Sequence, residues 1–439
     1  MLGASILCLE KLVFNAQHID LLQRLATKDG AMDPYDTASR VTARPRCGVW
    51  LSGARGSVAT TSIVGLYALS AGLIPETGCV TAAADFAGVP LPKYADFVVA
   101  GRDLSTTPLV KRAETLVEAG LLPHRVVAAV SDRLAATEDE IVGPSCVATP
   151  DPSTVGASTQ AELIDRLSDA MGSFISRNAL DVFVVIDVAS TQPPVPDRPE
   201  YHDPDILRAA LCEKDRMVLP ASALTALAAI RNGAAYSCFT PSPSMGVAAL
   251  RSLADDADIL YGGQDAKTGQ TLLRTVLAPM FASRAMIVNS WAGTNLLGGG
   301  DGATLADPVA AQSKLASKQR GIQQMLGGSV NAPLHIDYVP DLGETKVAWD
   351  HIHATGFLGG QITLQTIWSA PDSALAAPLV LDVARLLAMA RLRGAHGVVG
   401  QLGFFFKEPW GSSTHSLAAQ YEALVQWARS FATPVPADQ

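Results

Sequence analysis

Apolar and polar positions follow one rhythm through the first half of this chain and another through the second. Near the start, Leu9, Leu12, Val13, Leu22 and Leu25 predict a short amphipathic helix, with a linker over 27–46. The apolar run Cys47–Ser52 (CGVWLS) predicts a β-strand that leads into GARGSVATT and a helical pattern over 58–73. CVTAAADF is expected as a second strand ending at Asp85, and residues 105–180 as mainly helical and polar, with a loop at 142–158. DVFVVIDVASTQPP is the clearest strand signal. A continuous apolar run ending in a small, polar, Pro-terminated loop suits a parallel strand that delivers Ser190 and Thr191 to the sheet edge. An alanine-rich helix over 220–232 and a strand in AAYSCFTPSPSMG, with its loop Thr240-Pro241-Ser242, continue the alternation to about residue 245. That pattern is the doubly wound α/β one.

After Leu260 the texture changes. GGQDAKTGQT is a Gly-bounded loop carrying Asp265 and Lys267 ahead of a helix over 272–281. Residues 289–318 open as a polar, Gly-rich loop, and Asp307-Pro308 is an N-cap with a first-turn proline, so a helix is expected from there. Strands are expected over 334–339 and 361–368, flanking the loop DLGETK. Asp372-Ser373 should cap a long amphipathic helix over 375–393, and an aromatic strand should precede Lys407 in GFFFKEPWG.

Composition narrows the class. A chain of 439 residues, 48% hydrophobic and 17% charged, is expected to build two domains with large cores. Its formal charge of -9, with no basic stripe, argues against nucleic acid as a partner. The longest apolar stretch, 374–406, is broken by Asp382, Arg385, Arg391 and Arg393, so no membrane span is expected. Six cysteines without a C-x-x-C pair or Cys/His cluster suit reduced thiols in a cytoplasmic protein. The N-terminus lacks the basic region and cleavage site of a signal peptide.

Lysine usage singles out the chemistry. Arginine outnumbers lysine 23 to 10, and after Lys214 only Lys267, Lys314, Lys318, Lys346 and Lys407 remain, each in a turn-rich segment. Lysine differs from arginine in exchanging a proton once burial or like charge lowers its pKa. Lys314 and Lys318, four apart, share a helix face beside a glycine loop and suggest an anionic substrate; a solvated helix face is the other reading. Gly53, Gly56 and Ala59 give G-x-x-G-x-x-A between strand and helix, which suits either a dinucleotide pyrophosphate or a tight βα turn. Asp85 is a ribose ligand or a turn aspartate. Lys-Thr-Gly at 267–269 has no S-x-x-K companion, which excludes a penicillin-recognising site. Asp350, His351 and His353 form D-H-x-H, but no third strong ligand lies near, and a packed role is expected rather than a metal.

Taken in order, GGQDAKTGQT, LLGGGDG, QSKLASK, YVPDLGETKVAWDHI, PDSALAAPLVLD and FFFKEP resemble the myo-inositol-1-phosphate synthase family, with GARGSVATT and the AST loop extending the match over about 46–411. The resemblance is to the bacterial members. It implies an α/β fold: a Rossmann-like doubly wound domain with an inserted α+β catalytic and tetramerisation domain. The expected divisions are an N-terminal extension (1–45), the NAD-binding domain (46–250), the inserted domain (251–370) and a C-terminal segment (371–439) returning to the first domain. It implies bound NAD, a sugar phosphate substrate and a homotetramer. The implied reaction oxidises C5 of an open-chain hexose 6-phosphate, enolises toward C6, closes an aldol bond onto C1 and returns the hydride.

By motif position, Lys314 and Lys346 match lysines that bind sugar oxygens and shuttle protons. Lys318 and Lys407 match partners of the phosphate and the aldehyde oxygen, and Asp265 and Asp372 match carboxylates that orient them or touch the cofactor. Gly53, Arg55, Gly56, Ser57, Val58, Asp85, Ser190, Thr191 and Asp301 complete the implied cofactor set. Asn295, Gly298, Gly299, Gly300 and Asp301 complete the substrate set. The chain departs from the family pattern at Gly299 and Gly300, where Asn or a basic residue is usual, and at Glu344, where Asp is usual. Such changes reshape a polar pocket, so two substrates stand side by side: glucose 6-phosphate, giving myo-inositol phosphate, and fructose 6-phosphate, giving a five-membered cyclitol phosphate of the carbocyclic nucleoside type. A plain NAD-dependent sugar-phosphate dehydrogenase and a non-enzymatic NAD-binding regulator are the rival readings.

Overall fold

The computed structural model describes residues 44–144, 159–299, 302, 325–326 and 330–432. In chain order its first layer contains β1 (Cys47–Ser52), α1 (Ser57–Ser70), β2 (Phe97–Arg102), α2 (Leu109–Glu118), α3 (His124–Glu138), β3 (Ile141–Val142), α4 (Gln160–Asn178) and β4 (Val182–Asp187). It continues with α5 (Pro204–Leu211), α6 (Ala221–Arg231), β5 (Ala235–Cys238), α7 (Ala248–Asp256) and β6 (Leu260–Gly263). The second unit holds α8 (Gln270–Ser283), β7 (Ile287–Leu297), β8 (Leu334–Tyr338), β9 (Thr345–Thr355) and β10 (Gln361–Pro371). The chain then returns to the first sheet through α9 (Asp372–Leu392), β11 (Gly397–Val398) and α10 (Leu417–Arg429).

The first sheet runs β11-β6-β5-β4-β1-β2-β3, with every pairing parallel. Its winding reverses between β1 and β4, and in such sheets ligands bind in the crevice at the carboxyl ends of the strands flanking the reversal. The reason for these strands is direct: β1 and β4 are buried along their whole length, so both faces demand apolar residues.

The second sheet runs β10-β9-β7-β8 and is mostly antiparallel. One face packs on α8 through Phe281, Val288, Trp291, Ile352 and Ala354. On β9 the burial alternates, so Lys346, Ala348, Asp350, Ile352 and Ala354 face inward together. The outer face exposes Trp349 and Ile367.

Helix α9 is long and apolar enough to cross a membrane by length and composition, yet 78% of its apolar window is buried inside the protein. It lies against α1, β4 and β5. Its Asp382 carboxylate accepts Val80 N–H at 2.6 Å, Thr81 N–H at 3.1 Å and the Thr81 hydroxyl at 2.6 Å.

That contact explains one correction. CVTAAADF is not a strand; it forms two 3-10 turns, Val80–Ala82 and Ala84–Phe86, because Asp382 takes amides that a ladder would need. The second strand is Phe97–Arg102, and the acid at its end is Asp103 rather than Asp85. Residues 287–297, expected in large part as loop, form β7. The segment DHIH lies within β9, where Asp350 is buried and takes Arg274 at 3.0 Å and the Trp291 indole at 2.8 Å. The aromatic stretch before Lys407 is not a strand: a 3-10 helix, Gly400–Phe404, ends in a turn at Phe405, and Phe406 makes a single bridge to Ala266. Asp372 is the first residue of its helix, and the N-cap is Pro371. The expected helices over 1–26 and from Asp307 lie outside the described residues, as does most of the 142–158 loop.

Candidate active site

At the switch between β1 and β4 two loops come close together. Gly53, with φ +81°, follows β1, and a Cβ there would stand 2.7 Å from Ala189 Cα. Only glycine permits that combination of backbone conformation and proximity. The turn is fixed by Gly53 N–H to Arg102 O (2.9 Å), Gly56 N–H to Gly53 O (3.0 Å) and Arg55 N–H to the Asp103 carboxylate (2.6 Å). Helix α1 then starts at Ser57 with its first N–H groups free of intrahelical partners by construction.

A cavity of about 270 Å³ opens from this helix end. The first sheet lines it with Gly56, Ser57, Val58, the loop 188–191 and the loop 239–241; the second unit adds Gly298, Gly299, Glu344, Thr345 and Lys346. Asp265, Thr268, Asp372 and Lys407 close the remaining wall. A more open cleft of about 640 Å³ shares Pro241 with it and is lined by Tyr201, Arg251, Gln264 and Glu408, without a lysine.

Among the described residues, both lysines on the cavity wall are held by carboxylates. Lys407 Nζ donates to Asp265 Oδ1 at 2.7 Å, and the two residues also join through Lys407 N–H to Asp265 O at 2.7 Å. Lys346 Nζ donates to Asp372 Oδ2 at 3.2 Å, while the Thr268 hydroxyl donates to Asp372 Oδ1 at 2.6 Å. Lys346 and Lys407 side chains are each 10% exposed. Paired ammoniums in so dry a wall are fixed donors aimed by their partners, which is the arrangement that stabilises a developing oxyanion.

Behind them sits a third lysine. Lys267 is buried and donates to the neutral amide oxygen of Gln420 on α10. Burial, with the Lys407 charge second, lowers its pKa to about 7. His415 is likewise held below its usual value, first by burial and then by Lys267.

A family profile named for NAD binding and described as Myo-inositol-1-phosphate synthase matches residues 47–429. The chain belongs to that family. It is 30% identical over 409 residues to the inositol-3-phosphate synthase 1 of Bacteroides thetaiotaomicron, covering 87% of this chain and 93% of that protein. The human inositol-3-phosphate synthase 1 is 28% identical, covering 90% and 80%. In fold it is similar to the inositol-3-phosphate synthase of Caenorhabditis elegans, with a TM-score of 0.79, 22% identity and 91% of both chains covered. A Thermotoga maritima protein related to the family gives 0.70 at 22% identity, over 88% of this chain and 98% of the other. The chain is therefore an isomerase of the inositol-phosphate-synthase type with a Rossmann-like fold and NAD as cofactor. NAD fits the sheet-edge end of the cavity: Gly56 lines it at the start of α1, and Ser57, Ser190, Thr191 and Thr240 supply polar groups around it.

Of the residues named from the sequence, the structure brings Gly56, Ser57, Val58, Ser190, Thr191, Asp265, Gly298, Gly299, Lys346, Asp372 and Lys407 to this one cavity, with Gly53 forming the turn beneath. Three others lie elsewhere. The Arg55 guanidinium bonds Glu138 and Ser105 O, away from the cavity, and ties the turn to α3. Asp85 accepts the Tyr421 hydroxyl at 2.9 Å, against α10. Asn295 is buried and donates to Gln270 of α8, following the inward register of β7. Gly300, Asp301, Lys314 and Lys318 lie outside the described residues. Arg112 of α2 lines the cavity and was not foreseen; it falls in the 105–180 stretch expected as mainly helical and polar, where nothing set it apart from Lys111.

Proposed function

We propose that this enzyme is an NAD-dependent intramolecular aldol cyclase that converts a hexose 6-phosphate to a cyclitol phosphate, with glucose 6-phosphate to inositol phosphate as the first reading. The observation that carries it is the convergence of two carboxylate-held lysines, Lys346 and Lys407, on the cavity that begins at the dinucleotide turn. NAD supplies the hydride acceptor for the oxidation of C5 and the donor for the closing reduction.

The chain's own groups manage the oxyanions. Oxidation, enolisation and ring closure each place negative charge on an oxygen, and the Lys346 and Lys407 ammoniums stand as donors to those oxygens. Asp372 and Asp265 hold them in place, and Thr268 fixes Asp372 in turn. Lys314 and Lys318, by the family resemblance, complete the cluster as substrate and phosphate partners. The Lys346 and Lys407 side chains are each only 10% exposed, and partial burial strengthens their contacts.

A second substrate, fructose 6-phosphate, is favoured by one particular. Two of the departures from the family pattern meet in space: a Cβ on Gly299 would lie 3.5 Å from Glu344 Oε2. Paired changes across one wall alter the room for a sugar. The experiment that separates the readings is incubation with catalytic NAD+ and either hexose phosphate, with the product's ring size read by NMR. A six-membered product supports the first reading and a five-membered one the second. Stoichiometric NADH without a cyclitol supports a plain dehydrogenase.

A cytoplasmic homotetramer completes the proposal. The outer face of the second sheet exposes Ile367 (76%), and its hairpin tip exposes Phe357 (91%) and Leu358 (90%), an apolar surface suited to a second copy. Light scattering that returns a monomer mass would refute it.

A further inference from the structure

Two charged side chains that the chemistry above leaves unused meet at the start of α1. Ser57, the first residue of that helix, donates its hydroxyl to Glu344 Oε1 at 2.9 Å. Arg112, from the start of α2, donates Nη2 to Ser57 Oγ at 2.5 Å and to Glu344 Oε1 at 3.2 Å. Ser57 and Arg112 belong to the layer around the first sheet, Glu344 to the loop before β9, and all three line the cavity. The neighbouring cation behaves differently. Lys111 is 68% exposed and pairs with Glu114 on its own helix, whereas the Arg112 side chain is turned inward and 26% exposed.

The end of α1 attracts anions, because its first amides lack acceptors and the helix dipole is positive there. The chain has placed a carboxylate of its own at that point, held by a hydroxyl and a guanidinium. Those same donors suit a phosphate oxygen, and a guanidinium can grip it with two parallel N–H bonds. A dinucleotide in a fold of this winding brings its pyrophosphate to the same helix end. Two anions cannot share Ser57 in so confined a space without strong repulsion, whereas Arg112 can change partners.

We propose that Arg112 is a ligand of the dinucleotide phosphates, and that Glu344 is the internal anion it releases when NAD binds. Glu344 thereby competes with the cofactor and sets its affinity. It also holds the loop of the second unit against α1 until the exchange occurs. The inference rests on NAD as the family's cofactor and is independent of which sugar reacts.

The test is equilibrium titration of the nucleotide-stripped full chain with NAD+ and, separately, with adenosine, which has no phosphate. Four proteins are compared: wild type, Arg112→Met, Glu344→Gln and the double variant. The expectation is a loss of about tenfold or more in NAD+ affinity for Arg112→Met, the size of one charged hydrogen bond, and a severalfold gain for Glu344→Gln. The double variant should stay about tenfold weaker than Glu344→Gln, and adenosine should bind all four alike. Arg112→Met should also lower the dependence of NAD+ affinity on salt, and Arg112→Lys should restore part of the loss.

Unchanged NAD+ affinity in Arg112→Met overturns the proposal. So does a double variant equal to Glu344→Gln, which would reduce Arg112 to a counter-ion of Glu344. An equal loss on adenosine would mean a distorted domain and also overturns it. A wild type that fails to bind NAD+ would instead sink the cofactor reading.

Discussion

Lys407 and Asp265 are joined twice, through side chains at 2.7 Å and through the Lys407 amide to the Asp265 carbonyl at 2.7 Å. The second bond fixes the backbone from which both side chains depart, so the ammonium points into the cavity from a preset position. Asp265→Asn keeps the shape and removes the charge that aims Lys407. Turnover is expected to fall by about 10²–10³-fold, the usual effect of losing one positioned oxyanion donor. Steady-state assay of cyclitol formation decides it, and a loss under fivefold would remove Asp265 from the site. Stability gives a second reading. Lys407→Met removes the buried ammonium paired with Asp265, itself 4% exposed, and should destabilise the fold by up to about 3–5 kcal/mol. The double variant should recover part of that in a denaturant titration.

Lys346 lies on the inward face of β9, two residues from Ala348 and four from the buried Asp350, so its direction is set by the pleat of the strand. Lys346→Met should abolish cyclisation while leaving the melting temperature within a few degrees, since the Asp372 side chain is 36% exposed and can be hydrated. Lys346→Arg is the sharper variant. It keeps the charge but cannot release a proton near neutrality, so activity should stay near the level of the methionine variant if Lys346 moves a proton. Recovery of most activity by arginine would limit Lys346 to charge stabilisation.

Much of the first sheet was legible because its rules are local. VFVVID had to be a strand buried on both faces, and Gly53 had to mark a turn. The second strand was misplaced because the donors of Val80 and Thr81 are taken by Asp382, some 300 residues away, which no window of sequence reveals. Strand β7 was obscured by its polar residues. Asn295 faces inward and is satisfied by Gln270, so the alternation of apolar and polar positions fails where the sheet is most buried. The lysines could be named from their rarity and their motifs. Which carboxylate holds which lysine could not, since Lys407 and Asp265 are 142 positions apart. Arg112 gave no signal at all: beside Lys111 on an amphipathic helix it looks like one more surface charge.

Gly53 tests the dinucleotide end. With φ +81° and Ala189 Cα 2.7 Å from the place of a Cβ, Gly53→Ala is strained twice, in its own backbone and against the AST loop. A cost of more than about 1 kcal/mol is expected from the backbone term alone, measured by chemical denaturation. The displaced loop carries Ser190 and Thr191, so NAD+ affinity should fall as well. Wild-type affinity in this variant would show that the loop does not touch the cofactor.

Lys267 makes a prediction about pH. Its folded pKa, about 7, lies below the ordinary value of 10.5 because burial disfavours the ammonium and the Lys407 charge adds to that. In the unfolded chain the group regains its ordinary value, so between about pH 7 and 10.5 the unfolded state binds more protons than the folded one. By linkage, stability then rises with pH across that window. The penalty for burying Lys267 is therefore full below about pH 7 and fades as pH approaches 10.5. Lys267→Met removes it together with the bond to Gln420, which below about pH 7 has a charged donor and is worth about 1.5–3 kcal/mol. The variant should be the more stable protein at pH 6, by several kcal/mol at most, and should lose that advantage by pH 10. Melting curves of both proteins at the two pH values measure this directly. A variant no more stable than wild type at pH 6 would show that the fold does not penalise the Lys267 ammonium, and would overturn the lowered pKa.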